Sequence, residues 1–163
     1  MYPIAHFASA LLANRFAGID RSPPPSLGGA LVPDAIDKTL SWVLHLTPTA
    51  RHIGHTPLMA AALSTLTGRF FGRQAGTAFA LAYAVHLAGD LWDGGHVPWL
   101  MPFKRYPQEG KRWDFDISKA DLALEAVGAA YLFFVARSAL RAGELPAETA
   151  EWEAAPAYEP AHL

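Results

Sequence analysis

The segment from His86 to His96 concentrates imidazole and carboxylate side chains in a stretch that is otherwise largely apolar. His86 and Asp90 are four residues apart, so on a helix both side chains lie on the same face. Asp93 continues that face, and His96 follows a Gly-Gly pair that ends the helical pattern. Burying such groups is costly unless they are hydrogen-bonded, paired or bound to a metal ion. The segment therefore predicts a metal site with His86, Asp90 and His96 as ligands, for which zinc, iron or manganese is better suited than calcium.

Further candidate ligands occur upstream, as two pairs and a single histidine. Asp34 and Asp37 are three residues apart behind an apolar strip. His52 and His55 flank a glycine just ahead of a predicted helix start, and His6 lies in an apolar helix near the N-terminus. Each signal is weak alone, but together they supply the additional nitrogen and oxygen ligands that a metal site needs.

Each of these residues also has an ordinary structural role open to it. His86 can hydrogen-bond to Asp90 without a metal ion, and His6 can be a hydrogen-bonded core histidine. Asp34 or Asp37 can cap a helix or pair with Lys38, and the two loop histidines can be solvated. From the residue types alone, both interpretations stay open.

Composition limits the chemistry that the chain can perform. None of its 163 residues is cysteine, which excludes thiolate ligands, disulfides and cysteine nucleophiles. The formal net charge of −2 gives no general attraction to nucleic acid, so we expect no sequence-specific nucleic-acid binding. The chain carries no Gly-x-Ser-x-Gly elbow, no Gly-x-x-x-x-Gly-Lys phosphate loop and no dinucleotide fingerprint. Metal-assisted hydrolysis is therefore the one reaction class with positive support.

Such a reaction needs an acceptor for the proton of the attacking water and a group that binds the substrate. A zinc ion held by histidine and aspartate lowers the pKa of its bound water to about 7. Asp37 or Asp93, where it is not itself a ligand, is the predicted catalytic proton acceptor. Basic residues after the site would hold a substrate phosphate or an anionic lipid headgroup, unless they are simply solvated. They are Lys104, Arg105, Lys111 and Arg112.

The elements that must position these residues are all predicted to be helices, because no run alternates polar and apolar residues. The proline-rich segment Ser22–Ser26 predicts an extended linker, and the helical region after it is expected to break at Pro33. We expect one helical, hydrolase-like domain over residues 1–143 and an acidic, disordered tail over residues 144–163. Predicted helices cover residues 4–16, 28–46, 57–71, 74–92 and 118–142, with a long ordered loop over residues 93–117.

Three apolar stretches raise the question of membrane insertion. They cover Pro57–Gly68, Ala75–Trp92 and Ala126–Ala136. The first and third are shorter than the roughly 18 residues that a spanning helix needs. The second is long enough, but its His86 and Asp90 are costly when they face lipid and tolerable inside a bundle. The residues alone therefore slightly favour a buried helical core over an array of spanning helices.

Five sequence elements occur in an order that resembles a known family. His6 is followed by Gly-Ala-Leu-Val-Pro-Asp-x-x-Asp-Lys over residues 29–38 and by Arg-His-x-Gly-His-Thr-Pro-Leu over residues 51–58. His-x-x-x-Asp over residues 86–90 and Trp-Leu-Met-Pro-Phe over residues 99–103 complete the series. The order is similar to that of the YdjM-type family of proposed metal-dependent hydrolases, which are bacterial and archaeal proteins associated with the inner membrane.

The resemblance implies a fold related to zinc-dependent phospholipase C and single-strand-specific nucleases, in which clustered metal ions cleave phosphate esters. It implies a bundle of about five helices with a central ligand-bearing helix pair. One or two divalent ions are expected, zinc before manganese or iron. Asp93 and His96 depart from the family pattern, which often has threonine and glycine there. The implied ligands are His6, Asp34, His55, His86 and Asp90, with Asp37 and His52 as near neighbours and His96 as a ligand of the phospholipase type.

We therefore predict a membrane-associated, metal-dependent hydrolase of phosphate esters, lipids among them, that acts through a metal-activated water. The predicted partners are a phosphate-ester or lipid substrate and the inner membrane. The alternative is a small, non-enzymatic helical membrane protein in which the His/Asp cluster binds a structural metal ion or only pairs with itself.

Overall fold

The computed structural model describes residues 3–19, 23–92, 97–104, 106 and 118–142, and these residues form helices without any strand. The prediction of an all-α fold is therefore confirmed. Two compact units divide the chain, Met1–Tyr131 and Leu132–Leu163. The predicted tail over residues 144–163 lies outside the described residues and stays a prediction. The α-helices of the described residues are α1 (Pro3–Ala17), α2 (Pro23–Lys38), α3 (Pro57–Phe71), α4 (Arg73–Trp92) and α5 (Lys119–Ala142).

Two predictions made from the prolines of α2, an extended linker and a helix break, are wrong. The extended linker is wrong for residues 23–26, because the proline run forms the first turn of α2. Proline is tolerated there, since the first amides of a helix have no intrahelical acceptor and the proline φ is already helical. The break at Pro33 is also wrong: α2 continues through this buried proline to Lys38 and is followed by a π-helical turn over Thr39–Val43.

Local signals place the starts of α3 and α5 where the sequence predicts them. The Thr56 hydroxyl accepts a hydrogen bond from the amide of Met59 at 3.1 Å, and Pro57 is the first residue of α3. At α5, the Ser118 hydroxyl accepts from the amide of Asp121 at 3.1 Å, while the Asp121 carboxylate accepts from the amide of Ser118 at 3.2 Å. Both arrangements satisfy helix amides that would otherwise lack a partner.

Helix α4 is central in the first unit and runs parallel to α2. Gly29 packs directly on α4, where a Cβ atom would lie 2.4 Å from the carbonyl oxygen of Phe79. One residue further along α2, the carbonyl of Ala30 accepts a hydrogen bond from Nδ1 of His86 at 2.7 Å. Because both contacts advance in the same direction, the C-terminal ends of α2 and α4 lie at the same end of the unit. These two helices carry the candidate ligands Asp34, His86 and Asp90.

Helix α1 runs antiparallel to α4. Near its start, the ring of His6 stacks on that of His86 with centroids 4.0 Å apart. Two turns later, the side-chain amide of Asn14 donates a hydrogen bond to the carbonyl of Ala78 at 2.9 Å. The first turn of α1 therefore lies beside the last turns of α4.

The first turns of α5 and α3 reach the same end of the unit. The Glu125 carboxylate in α5 accepts hydrogen bonds from the backbone amides of Ile4 and Ala5, at 3.2 and 2.9 Å. It thereby caps α1, where a negative charge also interacts favourably with the helix dipole. His55, just ahead of α3, lies beside His86. We call this end, where α1, α3 and α5 begin and α2 and α4 end, the polar end.

Membrane-spanning capacity is concentrated in one of the described helices. Helix α5 is long and apolar enough to cross a membrane over Lys119–Arg141, and it includes the apolar stretch at residues 126–136. The stretch Ala75–Trp92 belongs instead to α4, whose inner face is buried, including Tyr83 and Leu87. A buried helical core is therefore the correct interpretation of that second stretch.

Candidate metal centre

Two imidazoles face each other at the polar end. Nε2 of His55 lies 3.2 Å from Nε2 of His86, and both side chains are fully buried. The other ring nitrogens are committed elsewhere: Nδ1 of His86 donates to the carbonyl of Ala30, and Nδ1 of His55 donates to Oδ2 of Asp37, each at 2.7 Å. A neutral imidazole carries one proton, so both Nε2 lone pairs point into one space. Two facing lone pairs repel each other unless a metal ion or a proton lies between them.

Carboxylates and a third imidazole approach the same space. Oδ2 of Asp90 lies 3.1 Å from Nε2 of His55 and 3.5 Å from Nε2 of His86. Oδ1 of Asp34 lies 3.5 Å from Nε2 of His55, and Nε2 of His6 lies 3.7 Å from Oδ1 of Asp90. Two groups of ligand atoms could each hold a metal ion: His6 with His86 and Asp90, and Asp34 with His55 and His86. Since both groups include His86, they form one continuous site.

The donor set and the charge of this cluster fit a divalent cation. Oδ2 of Asp90 is buried, and it has no hydrogen-bond donor among the described residues when the neighbouring histidines are neutral and carry their protons on Nδ1. Its Oδ1 accepts from Arg51 at 3.0 Å, and Asp34 accepts from Lys38 at 2.6 Å. With Asp37, three carboxylates thus face two fixed cations. The cluster thus carries one net negative charge, which a proton would neutralise and which favours binding of a metal cation.

Asp37 lies behind His55 rather than in the shared space. Its fully buried carboxylate accepts hydrogen bonds from Nδ1 of His55 and from the backbone amides of His52, Gly54 and His55. Oδ2 accepts three of these hydrogen bonds and Oδ1 accepts one, so the carboxylate is engaged mainly with the turn that carries His55. Asp37 therefore fixes the orientation of the His55 ring and of the turn that carries it.

The turn that carries His55 is held by two further contacts. The buried hydroxyl of Tyr83, on α4, donates a hydrogen bond to the carbonyl of Gly54. On the α2 side, a Cβ atom at Gly54 would lie 2.6 Å from the carbonyl oxygen of Pro33, so only glycine allows this approach. The short 3₁₀ turn Ile53–His55 is thus fixed between α2 and α4.

Burial and charge pull the pKa values of the cluster in opposite directions. Burial lowers the pKa of His55, but its hydrogen bonds to carboxylates outweigh burial and raise the pKa to about 10. Burial raises the pKa values of Asp34 and Asp90, but hydrogen bonds from His55 outweigh it and hold both well below their usual range. Burial is the main cause that lowers the pKa of His6 to about 3. At neutral pH the metal-free cluster therefore holds its extra proton on His55.

One edge of the cluster is open to solvent. The side chains of Lys38 and Arg51 are 33% and 37% exposed, and that of Asp34 is 18% exposed. The imidazoles of His55 and His86 lie beneath them and are fully buried. An anion that approaches the site therefore meets one ammonium and one guanidinium group before it reaches the histidines.

A family model described as YdjM inner membrane protein matches residues 1–152 of this chain. The chain belongs to the YdjM inner membrane protein family. Membership confirms the expected association with the inner membrane, and the matched residues include the whole cluster. Searches of curated proteins and of solved structures returned no match. The relation of this YdjM-family chain to phospholipase C and single-strand nucleases stays a prediction.

Only some of the predicted site residues of this YdjM-family protein lie in the cluster. Asp37 lies behind the cluster, and His52 donates its backbone amide to Asp37 while belonging to neither ligand group among the described residues. Asp93 and His96 lie outside the described residues, so their roles stay predictions. Lys104 is described and exposed, whereas Arg105, Lys111 and Arg112 are not described. Those that meet in the cluster are His6, Asp34, His55, His86 and Asp90, the set that the resemblance implied.

Three groups that shape the cluster were not predicted from the sequence. Arg51 pairs with Asp90, and it could have been recognised because it directly precedes His52 in the Arg-His-x-Gly-His element. Tyr83 precedes His86 by three residues, so helical spacing places both on one face of α4. The carbonyl of Ala30 carries no sequence signal, because every residue has one.

Proposed function

We propose that this YdjM-family protein is a metal-dependent hydrolase of phosphate esters. The observation that supports it is the convergence on one space of Nε2 of His55, Nε2 of His86 and Oδ2 of Asp90, separated by 3.1 to 3.5 Å. Both Nδ1 atoms donate elsewhere, which leaves the Nε2 lone pairs for a cation. Zinc is the first candidate, since it takes nitrogen and carboxylate oxygen together, and manganese or iron follows.

The phosphate-ester class follows from the groups at the open edge. A divalent ion held by the cluster supplies a Lewis acid and an activated water for attack at phosphorus. Arg51 and Lys38 bind and orient a phosphate group through charge-assisted hydrogen bonds, for which guanidinium geometry is well suited. Because Asp37 is buried behind His55 and its hydrogen bonds hold the His55 turn, we assign it the positioning of His55 and leave proton acceptance to Asp93.

A second candidate is a purely structural cluster, favoured by how deeply the histidines are buried. His6, His55 and His86 are each at most 1% exposed. A protonated His55 between Asp34 and Asp90 would neutralise the cluster and tie α2, α4 and the 3₁₀ turn together without any metal ion. In that case Arg51 and Lys38 only complete the charge balance.

The test combines metal analysis with hydrolysis by the full chain in detergent. Metal-free protein is incubated with zinc, bound zinc is counted by mass spectrometry, and cleavage of bis(p-nitrophenyl) phosphate is followed by absorbance. We expect His86→Ala and Asp90→Asn to lose bound zinc and hydrolysis together. His45→Asn is the matched control, because His45 is an exposed histidine outside the cluster and Asn tolerates its φ of 54°.

The outcomes separate the candidates. Full zinc content in both cluster variants would show that the ligand assignment is wrong. If the parent protein binds zinc but cleaves no ester, and the variants unfold, the cluster is structural. If the parent protein binds no divalent metal at all, the protonated His55 arrangement is the correct description.

A further inference from the structure

A set of large apolar side chains lies exposed around the polar end. Two groups contribute, one after the end of α2 and one after the end of α4. Trp92 and Phe103 are 88% and 87% exposed, values that are high for aromatic side chains of a soluble protein. We call this set the apolar rim; it consists of Val43, Leu44, Leu46, Trp92, Trp99, Leu100 and Phe103.

Both groups lie next to the metal centre. The first follows Asp37 and Lys38 directly, in the π-helical turn and the loop after it. The second is anchored by Val97, which is buried in a cluster with Tyr83 and Leu87. Tyr83 of the same cluster donates a hydrogen bond to the carbonyl of Gly54, next to the candidate ligand His55, so the rim residues 99–103 leave the core near the site.

Positive charges occur next to the rim in sequence and elsewhere at the polar end. Lys104 is exposed one residue after Phe103, and Lys119 is exposed at the first position of α5. Lys38 and Arg51 stand at the open edge of the site. Tryptophan with lysine or arginine is the composition that anchors proteins at the headgroup level of a membrane, where basic groups meet lipid phosphates.

The candidate membrane span starts at this same end. Helix α5 begins its apolar segment at Lys119, and Glu125 in its second turn caps the start of α1 at the polar end. A helix that crosses the bilayer places its first residues at the interface. The polar end, the rim and the metal centre are then at headgroup depth in a protein of an inner membrane family.

We infer that the apolar rim docks on the headgroup region of the membrane and that the phosphate ester cleaved at the metal centre belongs to a phospholipid headgroup. The substrate clause rests on the proposed function, while the placement of the rim does not. The rim holds the protein at the depth at which a headgroup phosphate reaches Arg51 and Lys38. A soluble phosphate ester has no contact with the rim and gains nothing from it.

The first test measures depth. The full chain is reconstituted in phosphatidylcholine and phosphatidylglycerol bilayers as two single-tryptophan forms that keep Trp92 or Trp99, the other tryptophans being replaced by phenylalanine. Spin-labelled lipids carry the quencher near the headgroup or at the chain end. We expect the shallow label to quench each tryptophan at least about twofold more than the deep label. Stronger quenching by the deep label, or quenching by aqueous iodide alone, would overturn the placement.

The second test measures substrate preference. Zinc-loaded protein in the same bilayers is given phosphatidylglycerol or soluble bis(p-nitrophenyl) phosphate, and the ratio of the two rates is compared between variants. We expect Trp99→Ser with Phe103→Ser to lower the lipid-to-soluble ratio about tenfold, since interfacial aromatic anchors are removed. Phe16→Ser is the matched control, an 85% exposed aromatic at the opposite end of α1, and should leave the ratio unchanged.

Different results would contradict the lipid assignment and the proposed hydrolase function. An unchanged ratio in the rim variant, with the soluble ester still cleaved, overturns the lipid assignment and leaves the proposed function intact. If no ester is cleaved while the shallow label quenches best, the proposed function and the substrate clause fail and the placement of the rim stands.

Discussion

Nε2 of His55 lies 3.2 Å from Nε2 of His86, although the two residues are 31 positions apart in the chain. Each ring is turned toward the other by an oxygen atom behind it, a carboxylate for His55 and a backbone carbonyl for His86. A second partner that fixes the tautomer and orientation of a histidine is typical of metal ligands. The groups that position the two rings can therefore be tested by substitution, as can the candidate ligands themselves.

Asp37→Asn should weaken metal binding although Asp37 is not placed as a ligand. The asparagine amide presents a donor where the amides of Gly54 and His55 and the His55 ring need an acceptor. We expect zinc affinity to fall about 10- to 100-fold, as for other positioning partners of metal-bound histidines. Competition titration with a chromophoric chelator measures it.

The control for Asp37→Asn is Asp121→Asn at the start of α5. Asp121 hydrogen-bonds to Ser118 and belongs to neither ligand group, so zinc affinity should not change. Unaltered affinity in Asp37→Asn would mean that the His55 ring keeps its orientation without this carboxylate.

Gly54→Ala should destabilise the protein through steric conflict. The added Cβ would lie 2.6 Å from the carbonyl oxygen of Pro33 and 3.0 Å from the Asp37 carboxylate, neither of which can move freely. We expect a loss of about 1–3 kcal/mol in unfolding free energy, in the range of other overpacked sites. Thermal unfolding in detergent is the measurement.

Gly18→Asn provides the comparison for Gly54→Ala. A Cβ at Gly18 meets nothing within 4 Å, and asparagine tolerates its φ of +63°. Its melting temperature should stay close to that of the parent protein. Equal melting temperatures for all three proteins would mean that the turn can shift away from α2 at little cost.

Metal binding should release a proton at neutral pH. The pKa of His55 is about 10 in the metal-free protein, so its ring is protonated at pH 7 and a metal ion must displace that proton. Apparent zinc affinity should therefore rise about tenfold per pH unit between pH 7 and 9 and level off above pH 10. Calorimetry in buffers of different ionisation enthalpy counts the released protons, and a count of zero would exclude His55 as the displaced site.

The same shift sets the stability of the metal-free protein. A histidine whose pKa is raised on folding stabilises the fold below its unfolded pKa, and that contribution is lost as pH rises through the folded pKa. The metal-free protein should thus lose stability from about pH 7 to pH 10, while zinc-loaded protein should not. Melting curves with and without zinc compare the two directly.

Candidate ligands that share a helix can be predicted from the sequence more readily than the groups that position them. The spacing of His86 and Asp90 places both on one face of α4 whatever the rest of the chain does. The contact between Asp37 and His55, in contrast, depends on how the 3₁₀ turn packs between α2 and α4, and no local spacing encodes it. The break expected at Pro33 fails for a similar reason, since packing of α2 on α4 outweighs one missing helix hydrogen bond.

Arg51 is the proposed substrate-binding cation beside the cluster, and its replacement provides the sharpest test of the proposed reaction. Its guanidinium donates to Oδ1 of Asp90 at 3.0 Å, yet its side chain is 37% exposed and belongs to neither ligand group. Arg51→Gln keeps the ligands and removes one cation beside Asp90, so zinc content should be unchanged. An anionic phosphodiester loses a charge-assisted partner, and we expect KM to rise about tenfold, as for loss of a hydrogen bond to a charged group.

A neutral phosphotriester serves as the internal control, because its KM should change far less. Loss of zinc in Arg51→Gln would instead mean that Arg51 stabilises the cluster itself and does not select the substrate.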